Sequence, residues 1–171
     1  GTIRSLNKQA DNLYEISSDE ILNKIFNAGI IEYDNNYVPL YNLIKLAKNN
    51  NIKNLYILTI ERNNITSVNE YFIKNKTNEI ANGIKVLEKL FSFDKIVFKS
   101  PHIINPHLRK IKNKKIKFSY ITKHKTHYYR KKLSTLIHKN YYSNVWNVNP
   151  DNIILSLESI IAIYRAVLLN E

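Results

Sequence analysis

The sequence predicts an α/β domain, a mainly parallel sheet of about four strands flanked by helices. Stretches of strand length stand at Leu55–Ile60, Ile96–Phe98, Lys115–Ile121 and Asn152–Leu157. Helical periodicities separate them, as crossover connections between parallel strands require. No internal repeat or low-complexity linker interrupts the alternation. A chain of 171 residues suits one domain, read here as 17–171 behind an N-terminal extension, 1–16.

The first helix is read over Ser17–Ala28. Ser17 and Glu20 have the spacing of a capping box, Ile21, Leu22, Ile25 and Phe26 form one apolar face, and Gly29 sits where a C-terminal cap belongs. A polar loop, Glu32–Tyr37, leads to Pro39, a first-turn proline for a helix to about Ala47. The apolar run Leu55–Ile60 is one buried strand, followed by a loop with Glu61, Arg62, Asn63 and Asn64. Ile80, Ile84, Leu87 and Phe91 mark a longer helix, Thr77–Phe91. Ile96–Phe98 is a short strand, and Asn105-Pro106 opens a small helix with Leu108 and Ile111 inward. Lys115–Ile121 alternates, placing Ile116, Phe118 and Tyr120 on one face, so this strand exposes a face or lies near an edge. Tyr129–His138 reads as a basic helix, Tyr141–Trp146 as an aromatic loop, Asn152–Leu157 as a strand and Glu158–Leu169 as the last helix. Leu55–Ile60 and Asn152–Leu157 are expected near the centre of the sheet.

Composition narrows the function classes. Without cysteine, the chain has no disulfide, zinc–thiolate site or iron–sulfur ligation of its own. No run approaches the ~18 apolar residues of a membrane span, and the N-terminus lacks the apolar core of a secretory signal. The expected compartment is the cytoplasm, with a peripheral place at the inner membrane as the other option. The formal net charge is +12, and its distribution is uneven. Lys95–Pro150 contains no Asp or Glu but holds 14 of the 26 Lys and Arg and all five His. Coding bias toward lysine explains many basic residues, but not the absence of acids between Asp94 and Asp151. His124 and His127 lie beside several lysines, which disfavours a bound cation, and no metal site is expected.

Four stretches resemble the flavin-binding domain of the C subunit of Rnf-type electron-transport complexes, a relative of the FMN-carrying flavoprotein subunit of NADH:quinone oxidoreductase. The similarity runs from about Ser17 to Glu171. In AGIIEYDNNYVP from Ala28, the family's Ala, Gly, Ile and Pro stand at Ala28, Gly29, Ile30 and Pro39, while its four loop glycines are replaced by Glu32, Asp34, Asn35 and Tyr37. In LYILTIERNNITSVNE from Leu55, Glu61 matches, but the flavin-contacting asparagine is replaced by Leu58. Tyr128, Leu136 and Ile137 match a third stretch. The segment Ala162–Val167, A-I-Y-R-A-V, is the most specific match; just before it, a flavin-side asparagine is replaced by Ser156 and a glycine by Glu158.

The resemblance implies that packing residues are retained and flavin-contacting residues are not. The glycines let backbone N–H groups close around a flavin phosphate, which bulky side chains obstruct and carboxylates repel. The expectation is therefore a non-catalytic relative, without FMN or another cofactor, acting as a protein-interaction or assembly module. Glu32, Asp34, Asn35, Tyr37, Leu58, Glu61 and Ser156 would be vestigial positions, with Glu61 a solvated or helix-capping acid. A second expectation is binding of nucleic acid, another polyanion or an anionic membrane surface. It rests on Lys112, Lys114, Lys115, Lys117, Lys123, Lys125, Arg130 and Lys131, with Tyr128, Tyr129, Tyr141, Tyr142 and Trp146 available for stacking. An active electron-transport flavoprotein is the third.

Overall fold

The computed structural model describes residues 13–32, 37–59, 68–100, 106–120 and 152–171. The helix expected at Tyr129–His138 and the aromatic loop Tyr141–Trp146 lie outside them. Helix α1 spans Ser18–Ala28 because its ends are chemically marked. Ser17 Oγ accepts from the Glu20 backbone N–H at 3.2 Å, and Gly29 closes the helix at φ 61°, a left-handed conformation that glycine adopts without steric cost. Ile21 and Ile25 are buried. Phe26, expected on the same face, is instead 61% exposed, its ring edge-on to Tyr41 at 5.0 Å. At 3.6 residues per turn it falls on the rim of the apolar stripe, where only a neighbouring ring covers it.

The stretch 31–39, read as a loop and a helix start, holds a two-stranded antiparallel sheet, β1 (Ile31–Glu32) and β2 (Val38–Pro39). Pro39 precedes helix α2 (Leu40–Asn49), which buries Leu40, Leu43, Ile44 and Ala47. The main sheet follows with β3 (Asn54–Leu58). Helix α3 (Val68–Asn75), which periodicity did not reveal, buries only Ile73. Helix α4 (Thr77–Leu90) and β4 (Lys95–Ser100) come next, and a short 3-10 turn (Leu108–Lys110) buries Leu108 as expected. β5 (Ile116–Tyr120) and β6 (Asn152–Ser156) complete the sheet, and helix α5 (Leu157–Tyr164) continues as a π-helical turn (Arg165–Leu169).

The sheet has four strands in the order β5-β4-β3-β6, and every pairing is parallel. The expected α/β class is therefore the observed one, with one correction. β3 is internal, but β6 is an outer strand of the described sheet rather than a central one. It reads as central because Ile153 and Leu155 are buried, and burial of one face does not require a neighbour on each side. β5 is the other outer strand, as its alternation foresees.

One face of the sheet makes the core. Leu55 and Ile57, Ile96 and Phe98, Ile153 and Leu155 join the apolar residues of α1, α2, α4 and α5 in a single buried cluster. Phe118 of β5 stacks on Phe98 at 5.6 Å. The opposite face is cationic around one ring, with the Lys95 and Lys99 ammonium groups 5.9 and 5.8 Å from the centre of Tyr56. Lys99 Nζ also donates to Ser119 Oγ at 2.8 Å.

Candidate functional site

The carboxyl ends of β3 and β6 bring distant residues together, as the ends of parallel strands do. Leu58 and Ser156 are register partners there, and both are buried. Glu32 reaches the same place from β1. Pairing of Ile31 with Pro39 and of Glu32 with Val38, together with a 2.8 Å bond from the Leu40 N–H to the Ile30 carbonyl, fixes the direction of the short strand. Alternation along it then turns Glu32 inward, to 0% exposure. Glu32 was expected in an open polar loop, and this corrects that expectation.

The buried carboxylate lies at the start of α5. Glu32 Oε2 accepts from the Ser156 backbone N–H at 3.0 Å and from Ser156 Oγ at 3.2 Å. Ser156 Oγ in turn accepts from the Ser159 N–H at 3.2 Å. The hydroxyl thus uses its proton toward Glu32 and a lone pair toward the helix, within the capacity of a serine. Several kcal/mol of desolvation would oppose an isolated buried carboxylate. Two factors offset it here: hydrogen bonds to a charged acceptor, and the partial positive charge of a helix N-terminus.

Tyr37 is the first described residue after Glu32. Its φ is 60°, the left-handed region natural to glycine, and its side chain is 64% exposed. Asp34, Asn35 and Glu61 lie outside the described residues, as do Lys123, Lys125, Arg130 and Lys131.

Lys112, Lys114, Lys115 and Lys117 are the basic positions of that set that lie among the described residues. Lys114 and Lys115 are exposed where the chain turns into β5, with the Lys115 N–H held by Asn113 Oδ1 at 2.9 Å. Lys117 alternates with Ile116 and Phe118, so it projects from the other face of β5. Lys112 lines a groove beside α4. Among the described residues, no group of three or more His, Cys, Asp or Glu could hold a metal ion, and no helix is long and apolar enough to cross a membrane.

A further cluster escaped the sequence reading. Glu79 on α4 accepts from Lys76 Nζ at 2.8 Å and from Arg165 Nε at 3.1 Å, tying α4 to the end of α5. Burial pushes the Glu79 carboxyl up, but the bonds and charges of Lys76 and Arg165 outweigh it and hold the group below the ordinary glutamate value. Arg165 belongs to the A-I-Y-R-A-V stretch, whose Ile163, Tyr164, Ala166 and Val167 are all buried. That stretch is thus a packing and clamping element.

No protein-family model matches the chain, and no curated protein matches it. Solved structures do. A chain of an NAD+-reducing NiFe hydrogenase in its H2-reduced state shares the fold at TM-score 0.63 and 11% identity. The likeness is one of fold alone. The same enzyme in its air-oxidised state gives TM-score 0.62 and 11% identity. Each match covers 87% of the present chain and 30% of the hydrogenase chain, so the protein spans under a third of the neighbour's length. This likeness is compatible with the flavoprotein-type α/β fold that the sequence resemblance implies.

Proposed function

We propose that this protein is a non-catalytic relative of flavoprotein-type domains and serves as a protein-interaction or assembly module. The carrying observation is the bond between Glu32 and Ser156. The sequence resemblance assigns both positions to flavin contact, one in the phosphate loop and one beside the ring. Here the two side chains satisfy each other, and the carboxylate takes the helix-terminal N–H that an anion would need. An FMN phosphate brought to that place would meet a buried like charge, so these residues do not fit the group. Leu58 adds an apolar, buried side chain at the position of a polar flavin contact.

The partner is most simply another protein, met in the cytoplasm or at the inner face of a membrane. The first test is the absorbance of the purified chain near ~450 nm, where a bound flavin gives its own band. A protein without that band, and without NADH-dependent dye reduction, fits the proposal; a stoichiometric flavin spectrum removes it.

A second reading, binding of a polyanion through Lys95–Pro150, is favoured by the 14 basic residues and absent acids of that block. An anionic membrane surface is the variant of that reading. Vesicle co-sedimentation and mobility shifts at two salt concentrations separate these from protein docking.

A further inference from the structure

A groove of about 560 Å³ runs between α4 and the turn that leads from β4 into β5. Four lysines rim it: Lys74 and Lys85 on the helical wall, Lys110 and Lys112 on the turn. Lys74 and Lys85 lie outside the acid-free block, so sequence alone did not join them to it. The only carboxylate in the lining, Glu88, accepts from Asn113 Nδ2 at 3.1 Å. Ala81, Ile84 and Ile111 form an apolar floor, and Asn75, Asn78 and Asn113 bring amides to the rim. The His107 imidazole is the one ring in the lining.

We propose that this groove binds an extended protein segment in which acidic and apolar residues alternate. The identification deepens the interaction-module reading and rests on it. An extended strand sends successive side chains to opposite sides, so every second residue can reach the floor while its neighbours meet the lysines. From Asn78 to Glu88 the helical wall runs about 15 Å, room for about four or five extended residues at ~3.3 Å each. The amides can donate to and accept from a peptide backbone. A nucleic acid strand fits less well. The lining has no Phe, Tyr or Trp and only the His107 imidazole for base stacking, no guanidinium fork for phosphate, and the Glu88 carboxylate facing a phosphate backbone.

The test is fluorescence anisotropy with the full chain and three labelled probes. These are an end-capped octapeptide of alternating Asp and Leu, its Asp–Ser counterpart, and an oligothymidylate of equal charge. The Asp–Leu peptide is expected to bind saturably at about 50 mM salt, at least about threefold tighter than either other probe. Combining Lys85→Glu with Lys110→Glu, both exposed, is expected to weaken it about tenfold or more. Lys45→Glu, exposed on α2 and absent from the groove lining, leaves it unchanged. Absence of saturable binding, oligothymidylate binding as tight as the peptide's, or indifference to the double reversal overturns the proposal. Flavin binding by the chain would overturn the interaction-module reading but not the peptide result, so the two failures are distinguishable.

Discussion

Glu32 concentrates two hydrogen bonds on a single residue in a place closed to water, which sets the cost of removing it. Glu32→Ala leaves the buried Ser156 N–H and hydroxyl without this acceptor, a loss of about 1–3 kcal/mol. For a chain of this size that lowers Tm by about 2–4 °C per kcal/mol. Glu32→Gln retains a carbonyl acceptor and is expected to fall between; an alanine variant melting with the parent would refute this role. Glu79 governs acid stability. Its folded value is held below the ordinary glutamate value by Lys76 and Arg165, so the unfolded chain takes the proton more readily. The stabilisation is full above the unfolded value and lost as pH falls through the folded one. Glu79→Gln should flatten the acid limb of a stability–pH curve below about pH 4.5, and an unchanged limb would deny the clamp. Neither residue was legible beforehand. Glu32 sits in a polar run that reads as loop, and its partner is 124 positions away. Glu79 reads as an exposed first-turn acid until Arg165 is brought beside it.

Elements were easier to read than their tertiary places. α1 announces itself through Ser17 and Gly29, and β5 through its alternation, because caps and period are local signals. α3 was missed because it buries only Ile73, leaving no stripe to detect. The π-helical turn at Arg165–Leu169 depends on hydrogen-bond register, which side-chain pattern does not encode. The contact of α4 with α5 was equally hidden. A Cβ on Gly83 would run into the Ile160 carbonyl oxygen and lie 2.8 Å from Ile160 Cγ2. Helix propensity favours Gly83→Ala by about 1 kcal/mol, whereas overpacking costs about 1–3 kcal/mol. Because the obstacle is backbone, the clash wins, and the variant is expected to lower the urea midpoint. A raised midpoint would mean that the helices lie further apart.

At the scale of the whole molecule, the α/β class was legible because strand-length and helix-length patterns alternate along the chain. Strand order was not, since it depends on where each crossover lands, and β6 went to an edge of the described sheet. Charge gave only half of the groove. The acid-free block supplied Lys110 and Lys112, but Lys74 and Lys85 join them only through the placement of α4. The proposed non-catalytic reading rests on the Glu32–Ser156 pair, and its central claim is that the chain takes up no flavin. Titrating the purified full chain into FMN while following flavin fluorescence tests it most directly. The proposed reading predicts unchanged fluorescence up to about 100 μM protein; saturable quenching at micromolar protein would contradict it.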